Sequence, residues 1–387
     1  MAEDRDRAEP ELSIRRAITE RGPISFAEFM EHALYGPGGF YEDPPVGERG
    51  HFVTSPHVHV VFGILAGRAV RECLEALGES GAPTVVEVGA GDGTLFGLVR
   101  AAIGEEGRRY VAVERSAGAR EAIASRHPGV RVESSLERLD RDVEGVVIAN
   151  ELLDNLPFRW IRRDGAGDLQ EALVDAAGAG LVLVWRPFRP EEGLERDLRS
   201  VRPGADAALP VGALEFVGLL ARVLRRGYAI LIDYAAGAEA GVHGYRGHRA
   251  VEDVLDEPGS ADVTAGVDFD ALERRAGDLG LRSFGTVSQR DALLALGYER
   301  WAEHERRRQR EAQDRRAGRE AAAAWSGRNA AAALVAPAGL GRLRWWIVGT
   351  GGLEAPPWLR AAWSGDPTMV RDDPAPGAHG ADGAIDA

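Results

Sequence analysis

Apolar and polar positions change period several times along the chain, and each change marks an element. ELSIRRAITERG (11–22) has apolar residues at helical spacing, and PISFAEFMEHAL (23–34) gives a second short helix with Ser25 as its N-cap. VFGILAGRAVRECLEALG (61–78) reads as an amphipathic helix closed by Gly78. The period then shortens. TVVEVG (84–89), YVAVERS (110–116), VRVES (130–134) and GVVIANE (145–151) are short apolar runs, with helical stretches such as TLFGLVRAAIG and AREAIASRH among them. Strands alternating with helices imply right-handed crossovers and a mostly parallel sheet, an α/β fold.

EALVDAAGAGLVLVWRPF (171–188) interrupts the series with two β-rich runs about a Gly-rich turn, the pattern of an antiparallel hairpin. After a helix near 211–225, GYAILIDYA (227–235) returns to a buried strand. Residues 236–268 read as a loop-rich insertion, 268–280 and 288–297 as helices, 299–334 as one long helix, and LRWWIVGT (343–350) as the last strand. The Gly- and Pro-rich stretch 35–56 carries four aromatic residues, so it reads as an ordered loop that packs on something. The organisation expected is an N-terminal helical and loop segment over 1–80 and an α/β core over 81–352. The core has insertions at about 165–225 and 236–268, and a disordered Ala-, Gly-, Pro- and Asp-rich tail follows over 353–387.

Composition narrows the function classes. The net charge of −14 disfavours tracking along nucleic acid phosphates. Every basic residue is Arg; without Lys there is neither a Schiff-base lysine nor a Walker-type phosphate lysine. The Lys-free composition also suggests a GC-rich bacterial genome. The lone cysteine, Cys73, lies in a helical pattern and reads as a core residue, which makes a reducing cytoplasm the default setting. No apolar run approaches the roughly 18–20 residues of a membrane span. The acidic first residues fit neither a secretory signal nor a transit peptide.

The chemistry starts at EVGAGDGT (87–94), which joins a strand to a helix. Gly89, Gly91 and Gly93 allow a tight turn and close approach of backbone N–H groups to a ligand. A dinucleotide fingerprint would need a third glycine where Thr94 stands, which argues against a nicotinamide oxidoreductase. An acid followed by alternating glycines is instead the pattern of S-adenosylmethionine binders, with Glu87 placed to help hold the amino acid end. Glu114 ends the next strand, where an acid accepts hydrogen bonds from ribose hydroxyls. Glu133 and Ser134 end the third strand, beside the expected adenine.

From here the chain resembles the MidA-like family, class I methyltransferases related to the mitochondrial complex I assembly protein arginine methyltransferase. FAEFMEHALYGPGGFY, GHFVTSPHVHVVFG, ANELLDNLP, LIDY, PGSADVTAGVDF and SQRDALLALG match family motifs in order, over about residues 12–350. Four positions depart from the pattern: His51 replaces an Asp, His57 a Glu, His243 an Arg and Asp92 a frequent Arg of the cofactor loop. His57 and His59 fit no recognised ligand spacing, so no metal is expected.

The resemblance implies S-adenosylmethionine as cofactor and methyl transfer to a protein arginine. Guanidinium is a poor nucleophile while its charge is delocalised, and carboxylates paired with two of its nitrogens localise the charge away from the third. Such acids belong beyond the fourth strand, where NELLD places Asn150, Glu151 and Asp154 as the catalytic candidates. The alternative is that Asn150 caps a helix starting at 151 and the acids favour its N-terminus. Thr54 and Ser55, with Pro56, approach the cofactor or form a turn capping a helix from 57. Asp233 and Tyr234 close a strand at the same edge, and Asp262, Thr264 and Asp268 hold loop structure or face a substrate. Expected partners are a protein substrate, with a respiratory complex I subunit as candidate by analogy, and a second copy in a homodimer; nucleic acid and membrane insertion are not expected. An assembly or chaperone factor that only binds, and a small-molecule methyltransferase, are the competing readings.

Overall fold

The computed structural model of the chain describes residues 8–42, 54–78, 81–139, 143–191, 194–199, 201–236, 241–247 and 249–365. Helices α1 (Ala8–Arg21) and α2 (Phe26–Met30) flank the two-residue strand β1 (Ile24–Ser25), and the Ser25 hydroxyl caps α2 by accepting from the Glu28 N–H, as predicted. A π-helical turn over Glu31–Tyr35 follows, then α3 (Ser55–Val58) and α4 (Val61–Leu77). His51 lies outside the described residues.

The alternating region forms β2 (Thr84–Val88), α5 (Thr94–Ile103), β3 (Arg109–Val113), α6 (Ala117–Arg126), β4 (Arg131–Glu133) and β5 (Val143–Asn150). The hairpin insertion supplies β6 (Arg159–Arg163), β7 (Leu169–Ala177), β8 (Gly180–Pro187) and β9 (Asp206–Leu209). The chain returns to the core through α7 (Val211–Val223) and β10 (Leu224–Asp233). Next come β11 (Val242–Arg246), β12 (Arg249–Val251), β13 (Asp262–Ala265), α8 (Phe269–Asp278), β14 (Leu281–Ser288) and α9 (Gln289–Ala295). The last elements are α10 (Tyr298–Asp314), α11 (Gly318–Ala332), β15 (Arg344–Thr350) and α12 (Pro357–Ser364).

The central sheet has seven strands in the order β14-β15-β10-β5-β2-β3-β4. Neighbours from β10 to β4 pair in parallel, and β15 runs antiparallel to both β10 and β14. Because side chains alternate across a strand, each buried strand feeds two cores. Val146, Ile148 and Trp345 pack with α4 and α5 on one face, while Val147, Ala149 and Trp346 pack with α7 and α8 on the other. A second sheet, β1-β7-β6-β9 with β8 on β7, shares a separate core with α1 and α2 built on Ile14, Phe26, Phe29, Phe158 and Val174. Leu255 and Val263 join that core from the insertion after β10.

Two elements were not anticipated and two expectations need correction. The insertion over 236–268 is not all loop; it holds the three-stranded sheet β12-β11-β13, whose strands of three to five residues are too short to carry a period. Strand β14 was not anticipated: a bulge between Ser283 and Thr286 leaves Leu281, Phe284 and Val287 buried at a spacing of three, which imitates a helix. The long helix over 299–334 is two helices, because Arg316 takes a left-handed φ of +58° and turns α11 back along α10. The start of the supposed tail is ordered. In α12, Trp358 is buried against Trp345, with ring centroids 5.7 Å apart, and its N–H donates to Glu72 Oε2 at 2.8 Å.

Candidate active site

The carboxyl ends of β2, β3, β4 and β5 open onto one cavity of about 300 Å³, small but within the range of ligand pockets. It lies where the winding reverses: from β2 the chain runs outward to β3 and β4, then crosses back to β5 on the other side. The loop between β2 and α5 forms one wall. Gly89, Gly91 and Gly93 have φ of +70°, +54° and +79°, conformations that a side chain would strain. Gly89 and Gly91 line the cavity, whereas Gly93 stands behind it as the N-cap of α5.

Glu114 braces this loop from β3. Its Oε2 accepts from Gly91 N–H at 2.8 Å and its Oε1 from Ser116 N–H at 2.9 Å. Burial pushes its carboxyl up despite these donors. The oxygens keep lone pairs for ligand hydroxyls. Glu87, at the end of β2, is buried on the wall, and its Oε2 has no partner among the described residues. Burial, then the nearby Asp92 and Glu114 charges, hold its carboxyl well above the usual range. Ser134 lines the far end with Ser135 and Leu136, while Glu133 pairs with Arg131 at 2.9 Å and stays off the wall.

No helix begins at residue 151. Asn150 ends β5, its amide nitrogen donates to Glu151 Oε1 at 3.1 Å, and its Oδ1 is buried without a partner among the described residues. Glu151 takes a left-handed φ of +52° and donates its N–H to Ile232 O at 2.7 Å, which turns its side chain into the cavity. Its Oε1 also accepts from Ser55 N–H at 3.0 Å. Burial raises its pKa against these donors.

Asp154 does not join Glu151 on the wall, and this corrects the expected pair of carboxylates facing one ligand. It sits in a 3-10 turn over Leu153–Asn155 that Asp233 fastens, Oδ2 accepting from the N–H groups of Leu152, Leu153 and Asp154 at 3.0, 2.6 and 3.3 Å. Burial raises the Asp233 carboxyl to about 7 against these donors. Burial, then the charges of Asp233, Asp262 and Glu151, hold Asp154 well above the carboxylate range. Ser55 is likewise not on the wall: it is fully buried, and its hydroxyl meets Gln289.

The roof comes from the N-terminal segment. Tyr35, Tyr41, Thr54, Pro56 and His57 line it. Tyr35 and Tyr41 stack with centroids 5.4 Å apart, and the Tyr41 hydroxyl donates to Asp262 Oδ1 at 2.9 Å, as does Asn155 Nδ2. Asp262 thus ties roof to floor; Asp268 caps α8, and Thr264 lies in β13. Of the site residues, Tyr35, Tyr41, Asn155, His57 and Asp92 were not predicted; the aromatic count of the 35–56 loop was the signal for the tyrosines.

S-adenosylmethionine fits this donor set: an orphaned Glu87 oxygen beside open glycine backbone suits an ammonium group, Glu114 suits hydroxyls, and the orphaned Asn150 oxygen lies near Glu151. Comparisons with known proteins agree. Residues 65–287 match the model of an S-adenosyl-L-methionine-dependent methyltransferase family. The protein arginine methyltransferase NDUFAF7 of mouse mitochondria is 31% identical over 324 residues, covering 73% of this chain and 72% of its own. Its zebrafish counterpart is 29% identical over 325 residues, covering 73% and 75%. A crystal structure of a COG1565 superfamily member from Burkholderia thailandensis, bound to S-adenosyl-homocysteine, superposes with a TM-score of 0.76 at 29% identity, covering 90% of this chain and 94% of that one. The chain therefore belongs to the family of S-adenosyl-L-methionine-dependent methyltransferases.

Proposed function

We propose that the protein methylates an arginine side chain of a protein substrate, with Glu151 as the residue that orients and deprotonates the guanidinium. The observation that carries this reading is the Glu151 carboxylate, held in the cavity by a left-handed backbone and by donors from Ser55 and Asn150. The NDUFAF7 relatives, named as protein arginine methyltransferases, support the substrate class.

S-adenosylmethionine supplies a methyl group that is already strongly electrophilic, so the chain's task is placement and charge control. Glu87 would hold an ammonium, the glycine loop and Glu114 would hold hydroxyl groups, and Ser134 with Leu136 would border the base. Glu151 pairs with guanidinium N–H groups, draws positive charge toward itself and away from the attacking nitrogen, and receives the released proton. Tyr35, Tyr41 and Pro56 exclude water. Among protein substrates, a respiratory complex I subunit is the first candidate by resemblance, and a cytoplasmic setting fits the single buried thiol. Among the described residues no helix is long and apolar enough to cross a membrane.

Methyl-tritiated S-adenosylmethionine, incubated with the protein and a lysate, should label a protein band whose hydrolysate contains methylarginine, and Glu151→Gln should abolish it. Label confined to a small molecule or to another amino acid would overturn the substrate assignment. Cofactor binding without any transfer would favour a scaffold instead.

A further inference from the structure

Two of the chain's departures from the motifs it resembles reach the cavity wall, and they touch each other. His57 stands where the pattern has Glu and Asp92 where it frequently has Arg; His57 Nε2 lies 3.3 Å from Asp92 Oδ2. The pattern sets an acid on α3 and a cation on the glycine loop. This chain sets an imidazole on α3 and an acid on the loop, within hydrogen-bonding reach of each other.

The surroundings fix both partners. Thr54 Oγ1 lies 2.9 Å from His57 Nδ1. Where Nδ1 accepts from the hydroxyl, the neutral ring carries its hydrogen on Nε2, directed at Asp92; where Nδ1 donates, only the doubly protonated ring does so. Asp92 is anchored at the start of α5, accepting from the Thr94 N–H at 3.0 Å and the Thr94 hydroxyl at 2.8 Å, with Arg126 at 3.6 Å. Burial opposes its ionisation, but the His57 and Thr94 hydrogen bonds prevail and hold it well below the usual carboxylate range. Two residues back, Ser55 N–H holds Glu151. The single short helix α3 therefore grips the cofactor loop on one side and Glu151 on the other.

We propose that His57 and Asp92 form a clasp that fastens α3 across the glycine loop and thereby sets the affinity for S-adenosylmethionine. His57 is a positioning residue here. The inference rests on the cofactor occupying this cavity, which calorimetric titration of the unaltered protein with S-adenosyl-homocysteine tests separately. The clasp is tested by the same titration on variants. His57→Glu sets two carboxylates face to face, and Asp92→Arg sets a guanidinium against His57 and Arg126; each should raise Kd about tenfold or more. The double variant restores opposite charges and should return Kd to within about threefold of the unaltered protein. A double variant no tighter than its weaker parent overturns the clasp. Asp92→Arg also removes the Thr94 acceptors, so the ligand-free thermal midpoint is followed in parallel. Should that variant not fold, His57→Glu against His57→Gln decides: the neutral amide keeps a donor, so the Glu variant should bind at least about threefold more weakly, and equal affinities reject the idea.

Discussion

Glu151 places its carboxylate from a backbone conformation that side chains disfavour, at φ +52°, which costs about 1–3 kcal/mol. The strain aims the acid at the cavity, and burial lifts its pKa above the ordinary carboxylate range. Since the ionised form is the active one, log kcat/KM should rise with pH until Glu151 has lost its proton, and Glu151→Gln should lower kcat by about 10²–10⁴-fold and erase that limb. A pH profile unchanged in the Gln variant would assign the limb elsewhere. Asp262 offers a stability test. Burial raises its folded pKa to about 6, against about 3.9 in the unfolded chain. Between those values the folded state holds more protons, so stability falls as pH rises from about 4 to about 6 and is level above. Asp262→Asn keeps a carbonyl acceptor for Tyr41 and Asn155, so urea unfolding should show a flatter pH slope; an unaltered slope would refute the assignment. Glu87, the glycines, Glu114 and Glu151 were legible in the sequence because strand ends fix them locally. The seclusion of Asp154 and Ser55 was not, since it depends on Asp233, Asp262 and Gln289, which lie far along the chain.

At the scale of elements, the inner parallel strands were readable because both faces are buried and the runs are largely apolar, as in Val146–Ala149. β14 escaped because its bulge replaces alternation with a spacing of three, and the break between α10 and α11 escaped because the left-handed residue there is an arginine rather than a glycine or proline. α12 was concealed by the Pro- and Gly-rich composition around it. Its contribution is measurable: Trp358→Ala removes a fully buried indole and should cost about 3–5 kcal/mol in denaturant unfolding. An unchanged midpoint would mean that α12 is dispensable.

For the whole molecule, the cavity joins parts that are distant in sequence: the N-terminal segment roofs it, the first strands floor it, and Asp262 links the two through Tyr41 and Asn155. A ligand that fits only this assembled form stabilises it by mass action. S-adenosyl-homocysteine at about a hundred times its Kd should therefore raise unfolding free energy by about 2.7 kcal/mol, read in urea titrations with and without it. No shift at saturation would mean that the ligand binds the unfolded chain equally well. The hydrogen bond from Trp358 N–H to Glu72 bears on the order in which the protein can be made. It joins α4 to a segment 286 residues later, and Glu72 is 3% exposed. During synthesis α4 leaves the ribosome long before its covering helix exists. Until then one flank of α4 stays open to water, and the core it begins is sealed only after residues 357–364 have emerged.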